Sequence, residues 1–228
     1  MKANSELRIE TEGELHDKPN QRVVSLLIQL AKQNADASEL ARVLRTDPVL
    51  CYALLTDLGS SGAVPREYVT SCRQAVELTG MSFLMQWLEA ALVYAVPVTK
   101  LSNSMRDALI RARFMELIGR SMMQRDAKDT EDLYLVGLFS KLNTLVDMDL
   151  AELILPLPFP EDMRAAILDE RGRMGRLLKF AQTIESADET GIDFMQTNMR
   201  LPSARVYEAY NEAYDWMLET EKKLTSTA

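Results

Sequence analysis

Hydrolytic chemistry needs a nucleophile beside a base, or several imidazoles and carboxylates converging on a metal. This sequence offers little of either. His16 is its single histidine, set in an acidic leader with Glu6, Glu10, Glu12 and Glu14. One imidazole cannot build the His and Asp set of a metal hydrolase, so His16 reads as a solvated side chain. Ser60 and Ser140 have no histidine to deprotonate them, and neither sits in a G-x-S-x-G turn. No P-loop and no Rossmann glycine pattern is present. No catalytic residue, metal ligand or cofactor is therefore expected. Positive charge gathers at Arg164, Arg171, Arg173, Arg176 and Lys179. Arg173 and Arg176 are candidate contacts for a phosphate or a partner's carboxylate; the competing reading is a solvated, salt-bridged face. Arg106, Arg111, Arg113, Arg120 and Arg125 do not share one face, which makes a weak nucleic-acid footprint.

The elements that must position these groups are helical. The chain has 228 residues, 47% of them hydrophobic, with nine glycines and eight prolines. That length supports a substantial core, and so few turn residues argue against a β-rich fold. A net charge of −8 repels nucleic acid and anionic membrane unless a local patch reverses it. Cys51 and Cys72 lie in predicted helices without a C-x-x-C pattern and read as small buried residues in a reducing cytoplasm. No basic segment leads into an apolar stretch at the N-terminus, so no signal peptide is expected. The best apolar run, Trp87 to Val98, contains Glu89 and Pro97 and is too short to cross a bilayer. A cytoplasmic location follows as an expectation.

Helical periodicity runs almost end to end. Val23, Leu26, Leu27 and Leu30 form the stripe of a first helix. Asp36 to Glu39 spells a capping box, and Asp47-Pro48 an Asp cap with Pro at the first helical position. Ser71 to Gln74 reads as a second capping box, Gly80 as a left-handed C-cap, and Ser82 as the cap of a helix ended by Pro97. A long helix is predicted over about 102–125. The next, capped by Asp129 or Thr130, carries Leu133, Val136, Leu138, Phe139 and Leu142 and is apolar on nearly all sides, the mark of a central helix. Asp149 to Glu152 reads as a third capping box. Pro156, Pro158 and Pro160 mark a connector, and helices follow near 161–169, 174–187 and 205–224. In the last, Val206, Tyr210, Ala213, Tyr214 and Met217 share a face. The 13 methionines fit core packing, with an adaptable binding surface as the other reading. The longest predicted loop, Gly59 to Thr70, is the best candidate contact element.

Several of these segments resemble a known family. Asp36 to Leu55, with its Asp47-Pro48-Val49-Leu50 step, looks like the opening of an HDOD domain, although Gly59 precedes Ser60 where that family usually has Asn. Ser71 to Gly80 is similar to a second family stretch. Arg111 to Leu117, Val136 to Ser140, Gly175 to Leu178 and Ala209 to Trp216 resemble the HDOD module fused behind EAL domains in bacteria. The resemblance covers about residues 22–218. In metal-dependent HD phosphohydrolases the helix matching Val136 to Asn143 carries adjacent His and Asp ligands; here Ser140 and Lys141 hold those places. An ammonium stands where a cation would need a carboxylate, and Asp188 is a candidate distal carboxylate whose other reading is a turn or cap. No E-x-L motif of an EAL phosphodiesterase is visible.

The resemblance implies an all-α, HD-domain-like bundle. After a leader over 1–19, one domain would span 20–226, built of subdomains over about 20–98 and 101–226. It also implies a non-enzymatic signalling module, linked to cyclic di-GMP and working by protein–protein contact. Expected partners are EAL or GGDEF enzymes or a response regulator, with no nucleic acid and no membrane. The alternative is a small-ligand or nucleotide sensor using the pocket around Ser140 and Lys141. Ser60, Arg66 and Tyr68 form the candidate interaction loop: Ser60 lies between Gly59 and Gly62, and Arg66 and Tyr68 offer an exposed charge and an aromatic anchor.

Overall fold

The computed structural model describes residues 18–61, 68–123 and 130–225. His16, Arg66, Arg125 and Asp129 lie outside the described residues. The fold is an all-α bundle, and its helices run in chain order as α1 (Gln21–Lys32), α2 (Ala37–Leu44), α3 (Pro48–Ser60), α4 (Cys72–Thr79), α5 (Met81–Tyr94), α6 (Asn103–Met123), α7 (Glu131–Phe139), α8 (Leu150–Ile154), α9 (Glu161–Asp169), α10 (Gly172–Glu185), α11 (Glu189–Met199) and α12 (Ser203–Thr225). The extended pairing among the described residues is a single parallel bridge, Asn20 with Val96.

Local chemistry sets most helix starts. Asp36 accepts from the Glu39 amide at 2.8 Å and Glu39 returns the bond, a complete capping box. Asp47 caps α3 through the Leu50 amide at 2.9 Å and also accepts from the Asn20 amide at 2.7 Å. That buried carboxylate therefore ties the chain entering α1 to the start of α3. Several expected caps differ. Ser71 accepts from Gln74 N–H, but the Gln74 side chain accepts from Thr70 N–H, one residue early, so the box is not reciprocal. Ser82 caps nothing, because α5 already begins at Met81. Gly80 has positive φ (72°) but extended ψ (146°), a joint between α4 and α5 rather than a left-handed cap.

Helices α1 to α5 pack on one another, as do α6, α7, α9, α10 and α12, and one continuous apolar core runs through both groups. Helix α7 is buried over its whole length, Leu133 to Phe139. It crosses α6 almost backbone to backbone at Gly137. A Cβ there would sit 2.7 Å from Ala112 Cα and 3.0 Å from the Arg111 carbonyl oxygen, so only glycine admits this crossing. Cys51 and Cys72 are both buried and unbridged, with sulfurs 3.3 Å apart.

Two expected elements need correction. Helix α11 covers residues read from sequence as connection, and it buries none of its side chains. On α12 the buried stripe is Val206, Ala209, Ala213, Met217, Thr220 and Leu224. Tyr214 lies one residue, about 100°, beyond Ala213 and is 46% exposed.

Candidate functional site

The α6–α7 crossing fixes what surrounds Ser140. Because Gly137 lets the two backbones meet at Arg111 and Ala112, Arg111 projects beside the end of α7. Ser140 follows that end, and its hydroxyl donates to the Gly137 carbonyl at 2.7 Å. Arg111 Nη1 donates to Ser140 Oγ at 3.0 Å. The rest of the guanidinium forks onto Glu185, with Nε to Oε1 at 2.7 Å and Nη2 to Oε2 at 2.5 Å. Lys141 Nζ lies 3.2 Å from Glu185 Oε2 and 3.7 Å from Asp107 Oδ2. Two cations thus meet two carboxylates around one hydroxyl. Arg111 is 7% exposed and Lys141 18%, so their pairs with Glu185 are partly sheltered from solvent screening, while Asp107 stands exposed.

This donor set does not suit a metal ion. Its two fixed cations already take up Glu185, and Ser140 is both donor and acceptor within the protein. Among the described residues, no three His, Cys, Asp or Glu side chains converge as a metal site would require.

Glu185 was not singled out from sequence, although a signal was there. It closes α10 on the face of Leu178 and Ala181, both buried, so an acid continues an apolar stripe. Arg111 carries the same mark, among buried Ala108, Phe114 and Met115 on α6. Asp188 does not reach this site. It caps α11 by accepting from the Gly191 amide at 3.0 Å, the second of the two readings its sequence context allowed.

The other singled-out residues lie elsewhere. Ser60 belongs to the last turn of α3 and donates to the Asp57 carbonyl at 3.1 Å. Gly59 is helical too. Its lack of a Cβ serves close approach, because a Cβ would stand 2.6 Å from the Pro156 carbonyl oxygen. Tyr68 is 50% exposed, while its amide and that of Val69 donate to the Pro158 carbonyl at 3.2 and 2.8 Å. Arg173 and Arg176 are exposed on α10. Three neighbouring cations are engaged: Arg164 with Glu161, Arg171 with Asp169, and Lys179 with Glu170.

A second charged centre, unforeseen as a unit, joins the two groups of helices. Glu116 on α6 is 1% exposed and receives three arginines. Arg45 Nη2 is 2.8 Å away, Arg113 Nη1 2.8 Å and Arg120 Nη2 2.9 Å. Burial opposes ionisation of Glu116, but Arg45 and Arg113 outweigh it and hold its carboxyl below the usual range. Arg45 also lies over the Tyr134 ring at 3.5 Å, and the Tyr134 hydroxyl donates to the Arg45 carbonyl at 2.8 Å. Burial is the first cause raising the Tyr134 phenol.

The HDOD domain family matches residues 18–155. The chain is similar to YuxH, an uncharacterized protein of Bacillus subtilis, at 25% identity over 199 residues, which is 84% of this chain and 46% of YuxH. It is similar at 25% identity over 193 residues to the cyclic di-GMP phosphodiesterase CdgJ of Vibrio cholerae, covering 85% of this chain and 44% of CdgJ. The chain spans less than half the length of these curated relatives. Among solved structures, the MmoQ response regulator from Methylococcus capsulatus aligns over 93% of this chain and 85% of its own, with 19% identity and a TM-score of 0.42. The family match takes in α1 through α8, the Gly137 crossing and the Ser140–Lys141 position, and the chain therefore belongs to the HDOD domain family.

Proposed function

We propose that this chain is a non-catalytic signal-transduction module that acts by contact with another signalling protein. The observation that carries the reading is the charge-balanced network of Arg111, Ser140, Lys141, Glu185 and Asp107. Where a hydrolase would hold a metal, these groups satisfy one another, and no nucleophile stands beside a free base. The family, and the name of the Vibrio relative, support a role in signalling linked to cyclic di-GMP. Its partners in this reading are EAL or GGDEF enzymes or a response regulator. No helix among the described residues is long and apolar enough to cross a membrane, which agrees with action in the cytoplasm.

Two measurements test the proposal. Purified chain with Mn²⁺ or Fe²⁺ is incubated with cyclic di-GMP and with bis(p-nitrophenyl) phosphate. Turnover equal to a protein-free control is expected, and metal-dependent turnover abolished by Ser140→Ala would overturn the non-catalytic reading. The contact surface is placed at Tyr68 and the neighbouring Arg66, since a half-exposed aromatic on a pinned backbone suits an interface anchor. Affinity capture from the native cell identifies the partner. The double variant Arg66→Ala, Tyr68→Ala is expected to keep its melting temperature and lose that partner. Undiminished capture would place the interface elsewhere.

A further inference from the structure

Between the two groups of helices lies a cleft of about 630 Å³. That is the size of a small-molecule site, which commonly falls within about 300–1,000 Å³. Its floor is the Glu116 cluster, with Arg45, Arg113 and Arg120. Its rim adds Arg42 from α2, Arg73 from α4 and Lys223 from α12. Trp216 and Leu224 supply an apolar wall. Six cationic side chains thus line the cleft against two carboxylates, Glu116 and Glu131. On a chain of net charge −8, this is a local reversal of sign, and a concave low-dielectric wall focuses such a field.

The protein's own acids do not use up this charge. Glu116 is shared by three guanidiniums, and among the described residues outside the lining only Glu212 (with Arg113, 2.8 Å) and Glu77 (with Arg73, 3.8 Å) add ion pairs. For Arg42 and Lys223, no ion pair with a described residue is present. The Nε donors of Arg45 and Arg113 are buried without an acceptor. Buried donors are ordinarily satisfied, and guanidiniums held as a set are pre-oriented for the paired oxygens of phosphate or carboxylate. None of these residues belongs to the Ser140–Lys141 network.

We infer that the cleft binds a small molecule carrying two or more phosphate or carboxylate groups. Its walls come from α1, α2, α4, α6, α7 and α12, so the bound anion bridges the N-terminal and C-terminal helices. The site is independent of the contact reading above.

The test titrates inorganic tripolyphosphate into the full chain by calorimetry at fixed ionic strength, with citrate as the carboxylate arm and sulfate as the single-anion control. Saturable binding at one site is expected, with a raised melting temperature because the ligand binds only the folded state. The pair Arg73→Ala, Lys223→Ala removes rim cations outside the floor cluster. It is expected to melt like the wild type without ligand and to bind at least about tenfold more weakly. The pair Arg173→Ala, Arg176→Ala, which lies outside the cleft, is expected to leave binding unchanged. Binding of tripolyphosphate alone assigns the site to phosphates, and equal binding of citrate assigns it to oxyanions of both kinds. No saturable binding, or equal weakening by both pairs, would overturn the inference.

Discussion

Glu116 is the residue on which the charge balance of the molecule turns. One buried carboxylate holds Arg45, Arg113 and Arg120 close together, and without it three like charges would face each other. Removing one partner of a buried pair leaves an uncompensated charge, so Glu116→Gln is expected to cost about 3 kcal/mol in urea unfolding at neutral pH. The pH dependence follows from the lowered carboxyl of Glu116, which burial opposes and the arginines impose. A depressed folded-state value means the ionised group stabilises the fold fully above its unfolded value, 4.5, and progressively less as pH falls through the lower folded one. Wild type and Glu116→Gln should therefore converge in stability as pH drops below that value, since a protonated carboxyl and an amide are alike in charge. A gap that stays constant down to the acid transition would show that the carboxylate's charge is not what stabilises this centre.

At the scale of elements, the α6–α7 crossing does two jobs, closing the core and placing Arg111 beside Ser140. Gly137→Ala inserts a methyl where Ala112 Cα would be 2.7 Å away. Backbone atoms cannot rotate aside as a side-chain tip can, so the helices must part. Overpacking of this kind costs about 1–3 kcal/mol, read as a lower urea midpoint with little change in slope; a variant as stable as wild type would show that the crossing has slack. How legible these elements were in the sequence depended on how local their cause was. Asp36 and Asp47 announce their helices because cap, Pro and apolar stripe fall within a few residues. Helix α7 is legible because every side is apolar. Helix α11 is less so, because its apolar stripe, Ile192, Met195 and Met199, is short and only half-buried. The Ser140–Lys141 position was visible only through its family resemblance. Its partners Arg111 and Glu185 are 74 residues apart, and no local pattern pairs an acid with a base at that distance.

The whole molecule is two groups of helices around one core, crossed by ion pairs that bind early residues to late ones. Arg45 reaches Glu116, and Glu221 near the C-terminus accepts from Arg106 and from the Leu101 amide, the latter at 3.0 Å. Continuous burial through α3, α6 and α7 leaves no apolar seam along which the groups could part without exposing core. The molecule is therefore expected to unfold as one cooperative unit. The two tryptophans give a direct check. Trp87 on α5 is 4% exposed and donates to Asp57 at 2.6 Å, all within the first group. Trp216 on α12 stands edge-on to Tyr134 at 6.2 Å, in the second. The variants Trp87→Phe and Trp216→Phe each leave one reporter, and circular dichroism at 222 nm follows all helices at once. Within each variant, fluorescence and dichroism midpoints in urea should coincide. Fluorescence of Trp87 changing ahead of the dichroism, with Trp216 lagging behind it, would mean that the N-terminal helices melt separately and that the Arg45–Glu116 pair does not couple the halves.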